Sequence, residues 1–186
     1  MSLSCGRRRG NWGELRGFKG RNSHEPIDRT RRRALAQRTT RPKFMVSRTA
    51  SCHCGNVELR CHGSPRKISM CHCLDCQRRT GSAFSVAVFY LRDMIAVQRG
   101  ITNSFERDSA SGFPVKFHFC VRCGSNVYWE PRRMPNIVGV ALGAFADPKF
   151  PQPMQSVWTR DKHAWLVIPD DMTEFEVNPV SQPSKT

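Results

Sequence analysis

The spacing of the cysteines constrains this chain more than any other feature of its sequence. Of nine cysteines in 186 residues, eight lie in residues 52–123, and seven of these form three tight groups: Cys52 and Cys54; Cys71, Cys73 and Cys76; Cys120 and Cys123. Thiols one or two residues apart are poor disulfide partners for each other, because the geometry of the bridge is demanding. In a chain without a secretory signal, such groups favour metal binding.

Zinc suits this set of ligands, because thiolates bind it in a tetrahedron at about 2.3 Å. The segment CVRCGS, which contains Cys120 and Cys123, is typical of a zinc knuckle whose glycine lets backbone N–H groups approach the sulfurs. We predict that this pair joins Cys52 and Cys54 in a closed, all-cysteine site. Such a site contributes directly to the free energy of folding.

The remaining group, Cys71, Cys73 and Cys76 (the trio), is predicted to form a second zinc site with three protein ligands. A fourth position left for water or substrate is the mark of a catalytic zinc, so an open site makes these three the catalytic residues. The alternative is a purely structural site that Cys61, His118 or another protein group completes. The spacing favours the open site but leaves both arrangements possible.

Other polar residues near the cysteines have more limited predicted roles. Arg78 and Arg79 are predicted to bind a substrate carboxylate beside the trio, although a plain surface role fits each of them about as well. Asp75 is predicted to cap the turn that follows it. His53 and His72 each stand between two cysteines, so their side chains should point away from the metal, and we predict that neither is a ligand.

Hydrophobic periodicity predicts a mainly β domain. Val57, Leu59 and Cys61 alternate with charged residues, which is typical of a half-buried strand and makes Cys61 a small core residue. The segments AFSVAVFYL, PVKFHFC, SNVYWE, NIVGVALGAF and HAWLVI predict further strands. The helical signal is limited to a short turn after the trio and a loop helix near Pro148. Many short strands joined by glycine and proline turns favour an all-β domain of about 130 residues.

The charge of the chain is distributed unevenly. The formal net charge is +15, but residues 1–44 hold thirteen Lys and Arg against three Asp and Glu, and the remainder holds seventeen against twelve. We predict a basic, mostly disordered leader at 1–44, a zinc-binding domain at 45–177 and a polar tail at 178–186. Four interpretations of the leader remain open: a tail without function, an upstream extension of the gene model, a transit peptide and a nucleic-acid-binding arm.

No apolar run approaches the roughly 20 residues that a membrane-spanning helix needs. The N-terminus also lacks the apolar segment of a secretory signal. We therefore expect a soluble, cytoplasmic protein with no membrane partner. The oligomeric state is not predicted by any pattern in the sequence.

The cysteine groups and their neighbours resemble the glutathione-dependent formaldehyde-activating enzyme family, which includes centromere protein V. The resemblance covers roughly residues 48–168 and rests on CHCGNVELRC, CHCLDCQRRTGSAFSV, SGFPVKFHFCVRCGSNVYW and VGVALGAFADP, followed by Trp158, Arg160 and Trp165. It implies a β-tent fold of small antiparallel sheets and the same division into a four-cysteine structural zinc and a three-cysteine catalytic zinc. One departure is Ser156-Val157-Trp158, which stands where the family has an HIW-like segment.

The resemblance implies an enzyme that joins formaldehyde to glutathione, giving S-hydroxymethylglutathione, and that is classed as a carbon–sulfur lyase. Two zinc ions per chain and glutathione as co-substrate follow from it. Zinc held by three thiolates is a weak Lewis acid, which favours delivery of a thiolate over polarisation of the aldehyde. The alternative is a non-enzymatic zinc module that binds nucleic acid or protein. The modest charge outside the leader, without aromatic residues interleaved among its cations, favours the enzyme.

Overall fold

The computed structural model describes residues 46–109 and 112–179 of the chain. The predicted leader, residues 1–44, and most of the predicted tail lie outside these residues. Within them the protein forms eleven β-strands in two sheets, one α-helix and three short 3-10 turns, so the prediction of a mainly β fold is confirmed. Among the described residues, no helix is long and apolar enough to cross a membrane.

The smaller sheet has three antiparallel strands in the order β1 (Ser47–Ser51), β2 (Glu58–His62) and β5 (Ile95–Arg99). Strand β2 shows the alternation that its sequence predicts. Leu59 and Cys61 are fully buried, whereas Arg60 between them is exposed. Cys61 is therefore a core residue, as its inward position in the pattern predicts.

The larger sheet has eight strands, and its order departs from the order along the chain. From one edge to the other, the strands are β11 (Thr173–Phe175), β10 (Gln155–Val157), β3 (Lys67–Cys71), β4 (Ser85–Leu91), β9 (Ile137–Ala141), β8 (Asn126–Pro131), β7 (Val115–Cys120) and β6 (Thr102–Arg107). Strand β10 pairs in parallel with both of its neighbours, and the other pairs are antiparallel. The smaller sheet fits the expectation of small antiparallel sheets, but the larger one is mixed.

The central strand β4 is buried on both faces, which explains its nearly continuous apolar sequence. Val88 and Tyr90 face the main core, which includes Leu59 and Cys61 of the smaller sheet. Ala87 belongs to a second cluster on the opposite face, and Phe89 packs against that cluster. The core of the domain therefore lies on one face of the larger sheet, and the other face is left to build a separate feature.

One helix, α1 (Leu74–Thr80), follows strand β3. Cys73 is its N-cap, and the Cys73 sulfur accepts a hydrogen bond from the backbone N–H of Cys76. The helix ends at Gly81, whose φ of 62° places it in the left-handed region. The cap is thus a cysteine of the trio rather than Asp75, which the sequence had suggested for this role.

Two predicted elements are corrected by the structure. The segment HAWLVI does not form a strand, although its side chains alternate: Leu166 and Ile168 are buried, while Trp165 and Val167 are 71% and 87% exposed. The buried pair packs with Met172 in a small separate cluster, so the alternation reflects docking of an irregular segment. The loop helix predicted near Pro148 is also absent from the described residues. A 3-10 turn at Leu142–Phe145 stands just before that position.

Candidate metal centres and the adjoining pocket

The structure brings together Cys52, Cys54, Cys120 and Cys123, whose sulfur atoms all lie within 4.8 Å of one another. Cys52 and Cys54 lie in the turn after β1, and Cys120 ends β7 in the other sheet. This group, which we call the four-cysteine cluster, therefore links the two sheets. A metal ion bound there would hold the two sheets together.

The spacing of these sulfurs fits zinc. A tetrahedron with zinc–sulfur bonds of about 2.3 Å has edges of about 3.8 Å. The Cys52–Cys54 sulfur distance is 3.6 Å and the Cys54–Cys120 distance is 3.8 Å. The residues present therefore fit a closed ZnS₄ site.

Backbone donors further support negatively charged sulfurs in the four-cysteine cluster. The N–H of Val57 donates to the Cys52 sulfur at 3.1 Å, and the N–H of Arg122 donates to the Cys120 sulfur at 3.4 Å. Gly124, with φ of 72°, closes the knuckle by donating its N–H to the Cys120 carbonyl at 2.9 Å. A residue with a Cβ atom would be strained in that conformation, which explains the glycine of CVRCGS.

The trio also converges in the structure. The sulfurs of Cys71, Cys73 and Cys76 lie within 4.8 Å of one another, and among residues 46–109 and 112–179 no other cysteine, histidine or acidic group joins the cluster. The fourth ligands that the sequence left possible lie elsewhere. Cys61 is buried in the main core, and the His118 ring stacks on Tyr128 at 4.3 Å.

The three thiols of the trio hydrogen-bond to one another, and these bonds shift the pKa values of Cys71 and Cys76 in opposite directions. Hydrogen bonds from Cys71 and Cys73, together with the charge of Arg79, lower the pKa of Cys76 to about 3. The pKa of Cys71 is raised, because its thiol bonds to Cys73 and Cys76. Negative charge thus concentrates on one sulfur that the other two surround. Three sulfurs this close together fit a zinc ion, which would hold them as thiolates.

Arg79 is held in place beside the trio by its own set of contacts. Its guanidinium donates to Asn126 Oδ1 and Ser85 Oγ, both at 2.6 Å. It also lies over the rings of Phe117 and Trp129, at 4.9 and 4.8 Å from their centroids. These contacts fix a positive charge next to Cys76. This arrangement was not predictable from the sequence, because Asn126, Phe117 and Trp129 come from strands far along the chain.

The trio lies at one end of a pocket of about 280 Å³ on the face of the larger sheet that is turned away from the main core. Alternate residues of the strands form its floor, and α1 contributes Cys76 and Arg79. The floor is largely apolar, and the cations lining the pocket outnumber the single acidic residue, Asp75. The cations are Arg66, Lys67, Arg79, Arg107 and Arg133.

The structure separates the other residues that the sequence singled out. Arg78 is exposed and does not line the pocket, unlike Arg79. Asp75 lines it and pairs with Arg107 at 2.9 Å. His53 is exposed. His72 is fully buried, and its Nε2 lies 2.9 Å from Ser156 Oγ.

Neither histidine belongs to a metal-binding group in the described part of the chain. The Ser156 hydroxyl contacts the buried His72. Ser156, the residue that departs from the HIW-like segment, is therefore itself buried. This contact lies beside the trio in sequence, since His72 stands between two of its cysteines.

Two of the comparisons with known proteins name the same family. Residues 47–161 match the family model described as "Glutathione-dependent formaldehyde-activating enzyme". A curated relative from Halomonas elongata, named "Putative glutathione-dependent formaldehyde-activating enzyme", is 28% identical over 130 residues, which cover 68% of this chain and 79% of the relative. The crystal structure of a Rhodobacter sphaeroides protein is 20% identical, with a TM-score of 0.42, over 68% of this chain and 98% of that chain.

Proposed function

The chain belongs to the glutathione-dependent formaldehyde-activating enzyme family, and from this membership we propose that the trio and its pocket form the active site. The reaction joins glutathione to formaldehyde, giving S-hydroxymethylglutathione, and it belongs to the carbon–sulfur lyases. The glutathione S–H adds across the aldehyde C=O. A carbon–sulfur bond forms, the C=O π bond breaks and the thiol proton ends on the oxygen, so no oxidant is needed.

One observation carries this proposal: three sulfurs converge at the end of a pocket without a fourth ligand among the described residues. We propose that Cys71, Cys73 and Cys76 hold a catalytic zinc, and that the four-cysteine cluster holds a structural one. A zinc ion bound by the trio would supply stabilisation of a substrate thiolate. The difference in surroundings supports the assignment, because the four-cysteine cluster links two sheets and does not line this pocket.

Arg79 acts as a positioning residue in this proposal. Its guanidinium offsets the negative charge of the cysteine sulfurs. Its hydrogen bonds to Asn126 and Ser85 hold it in place, so that it is not free to pair with the substrate. This role differs from the carboxylate binding that the sequence suggested for Arg78 and Arg79. The carboxylates of glutathione would instead be attracted by other pocket cations, such as Arg66 and Lys67.

The cytoplasm is the proposed location of this activity. The eight cysteines of the described residues are all free thiols. Thiols and zinc thiolates of this kind persist where the environment is reducing.

The proposal is tested by measuring how fast purified, zinc-loaded protein equilibrates formaldehyde and glutathione with S-hydroxymethylglutathione, by exchange NMR above the uncatalysed background. Cys73→Ser should return the rate to that background. Cys61→Ala is the control, because it removes a buried thiol that belongs to neither cluster. A Cys73→Ser protein as fast as the unaltered chain would contradict the proposal.

A further inference from the structure

The pocket is elongated along the strands, and its two ends differ. Strand β3 ends at Cys71 of the trio and begins at Lys67, and both residues line the pocket. Four residues of extended strand span about 13 Å. In the neighbouring strand, Ser85 lies opposite Cys71 and Phe89 lies opposite Lys67. The pocket therefore extends well beyond the space that the reacting sulfur atom and formaldehyde occupy at the trio.

The middle of the pocket is apolar and built from the sheet. Phe89, Trp129 and Ile137 contribute its floor from three neighbouring strands. The Trp129 indole lies on Gly139, since a Cβ atom at residue 139 would come within 2.5 Å of the ring. Because residue 139 is a glycine, the flat indole of Trp129 can lie directly against the sheet. Polar groups of a ligand placed there would lose water without gaining partners.

The far end of the pocket carries Arg133, a half-buried cation. A terminal guanidinium nitrogen of Arg133, Nη2, is buried and has no hydrogen-bond partner within residues 46–109 and 112–179. The Arg133 guanidinium lies 5.8 Å from the centroid of the Phe113 ring. Arg107, by contrast, pairs with Asp75, and both terminal nitrogens of Arg79 donate to protein oxygens, although the buried Arg79 Nε has no partner among the described residues. A buried charged donor left unpaired is costly, and an anionic group of a ligand would satisfy it.

We propose that the carbonyl substrate of this site has an apolar chain that ends in a carboxylate. The carbonyl carbon would lie at the trio, the chain on Phe89, Trp129 and Ile137, and the carboxylate at Arg133. This inference rests on the proposed function and deepens it by naming the class of aldehyde. The thiol adds to the carbonyl as it does to formaldehyde, with its proton transferred to the oxygen.

The test is calorimetric titration of the zinc-loaded full chain with acetate, butyrate, hexanoate and octanoate. These carboxylates lack the aldehyde, so they report on the apolar floor and on Arg133 alone. Affinity should rise about fourfold for each added methylene until the floor is covered. An affinity that does not change with chain length would overturn the proposal.

Variants separate the two parts of this site. Arg133→Gln should weaken every carboxylate by about tenfold or more, whereas Arg133→Lys, which keeps the charge, should lose less. Arg132→Gln is the matched control, because that neighbour is exposed and paired with Glu106. Ile137→Asn should flatten the dependence on chain length. Arg133→Gln and Arg132→Gln binding alike would overturn the assignment of the anion to Arg133.

Measuring carboxylate binding and turnover separately distinguishes failure of this inference from failure of the proposed function. If glutathione and formaldehyde are turned over but the carboxylates do not bind, the inference is wrong and the lyase activity stands. If the carboxylates bind in the predicted order but no turnover occurs, the elongated anion site stands and the lyase activity is wrong.

Discussion

The two cysteine clusters use the same ligand chemistry in opposite settings. The four-cysteine cluster joins a turn after β1 to the end of β7. Its two cysteine pairs therefore adjoin different sheets, and more than sixty residues separate one pair from the other. The trio comes from six consecutive residues at the junction of β3 and α1, and it lines a pocket. The two clusters thus differ in the number of sulfurs and in their surroundings, and this difference is the basis for proposing a structural role for one and a chemical role for the other.

The largest expected effect is loss of the fold on removal of a ligand that links the sheets. Cys120→Ser should leave the protein largely unfolded, because structural zinc contributes about 10 kcal/mol or more to folding, comparable to the whole stability of a domain. Circular dichroism and zinc analysis check this. A folded Cys120→Ser protein that keeps two metals would contradict the structural role.

Removal of a trio ligand should affect the fold less than removal of Cys120 does. Its main effect should be the loss of the metal ion at the trio. Cys73→Ser should lower the zinc content from about two ions per chain to about one. The melting temperature should fall by only a few degrees, because the trio spans a short loop whose closure costs little entropy. Unfolding as severe as that of Cys120→Ser would remove the distinction between the clusters.

Removal of the Arg79 guanidinium should weaken the trio without removing a ligand. Arg79→Met should lower zinc affinity at the trio by about tenfold to a hundredfold, as expected for a group that supports a ligand. Competition with a chelator measures this affinity, and the four-cysteine cluster should be unaffected. Arg78→Met is the matched control, because its side chain is exposed on the same helix. Equal effects of the two variants would contradict a specific role for Arg79.

A change at Gly139 tests the floor of the pocket and leaves both clusters intact. Gly139→Ala should destabilise the protein by about 1–3 kcal/mol, because the new methyl group overlaps the Trp129 ring. Denaturant unfolding and tryptophan fluorescence measure the result. Gly143→Ala provides the comparison, since its Cβ would meet no atom within 4 Å. Similar unfolding of both variants would argue against the close contact.

The smallest effect is expected from deletion of residues 1–44. Both clusters lie within residues 52–123, so the shortened chain should keep its zinc content, melting temperature and turnover. Metal analysis and exchange NMR on the two chains provide the comparison. A loss of turnover would show that the leader contributes to the site.

The cysteine clusters and most strands could be predicted from the sequence, because cysteine spacing and side-chain alternation are local patterns. The grouping of Cys52 and Cys54 with Cys120 and Cys123 was predicted from the spacing and number of the cysteines, and β4 was predicted from its β-branched and aromatic residues. The prediction of a strand in HAWLVI was wrong, because side chains also alternate when an irregular segment docks two of them onto a core.

The role of Arg79 and the far end of the pocket could not be predicted, since they depend on which strands become neighbours. Phe117 and Trp129 meet Arg79 only because β7 pairs with β8 in one register. Arg133 reaches the same pocket as Lys67 although more than sixty residues separate them. Parallel pairing of β10 beside β3 is equally non-local.

The central claim is that the trio accepts a ligand from the pocket and the four-cysteine cluster does not. Titration of the cobalt-substituted protein with glutathione tests this claim most directly, because the absorption bands of cobalt respond to its ligands. We predict that glutathione changes the bands in the full chain and has no effect in Cys73→Ser, which retains only the four-cysteine site. A spectrum that glutathione leaves unchanged in the full chain would contradict the account.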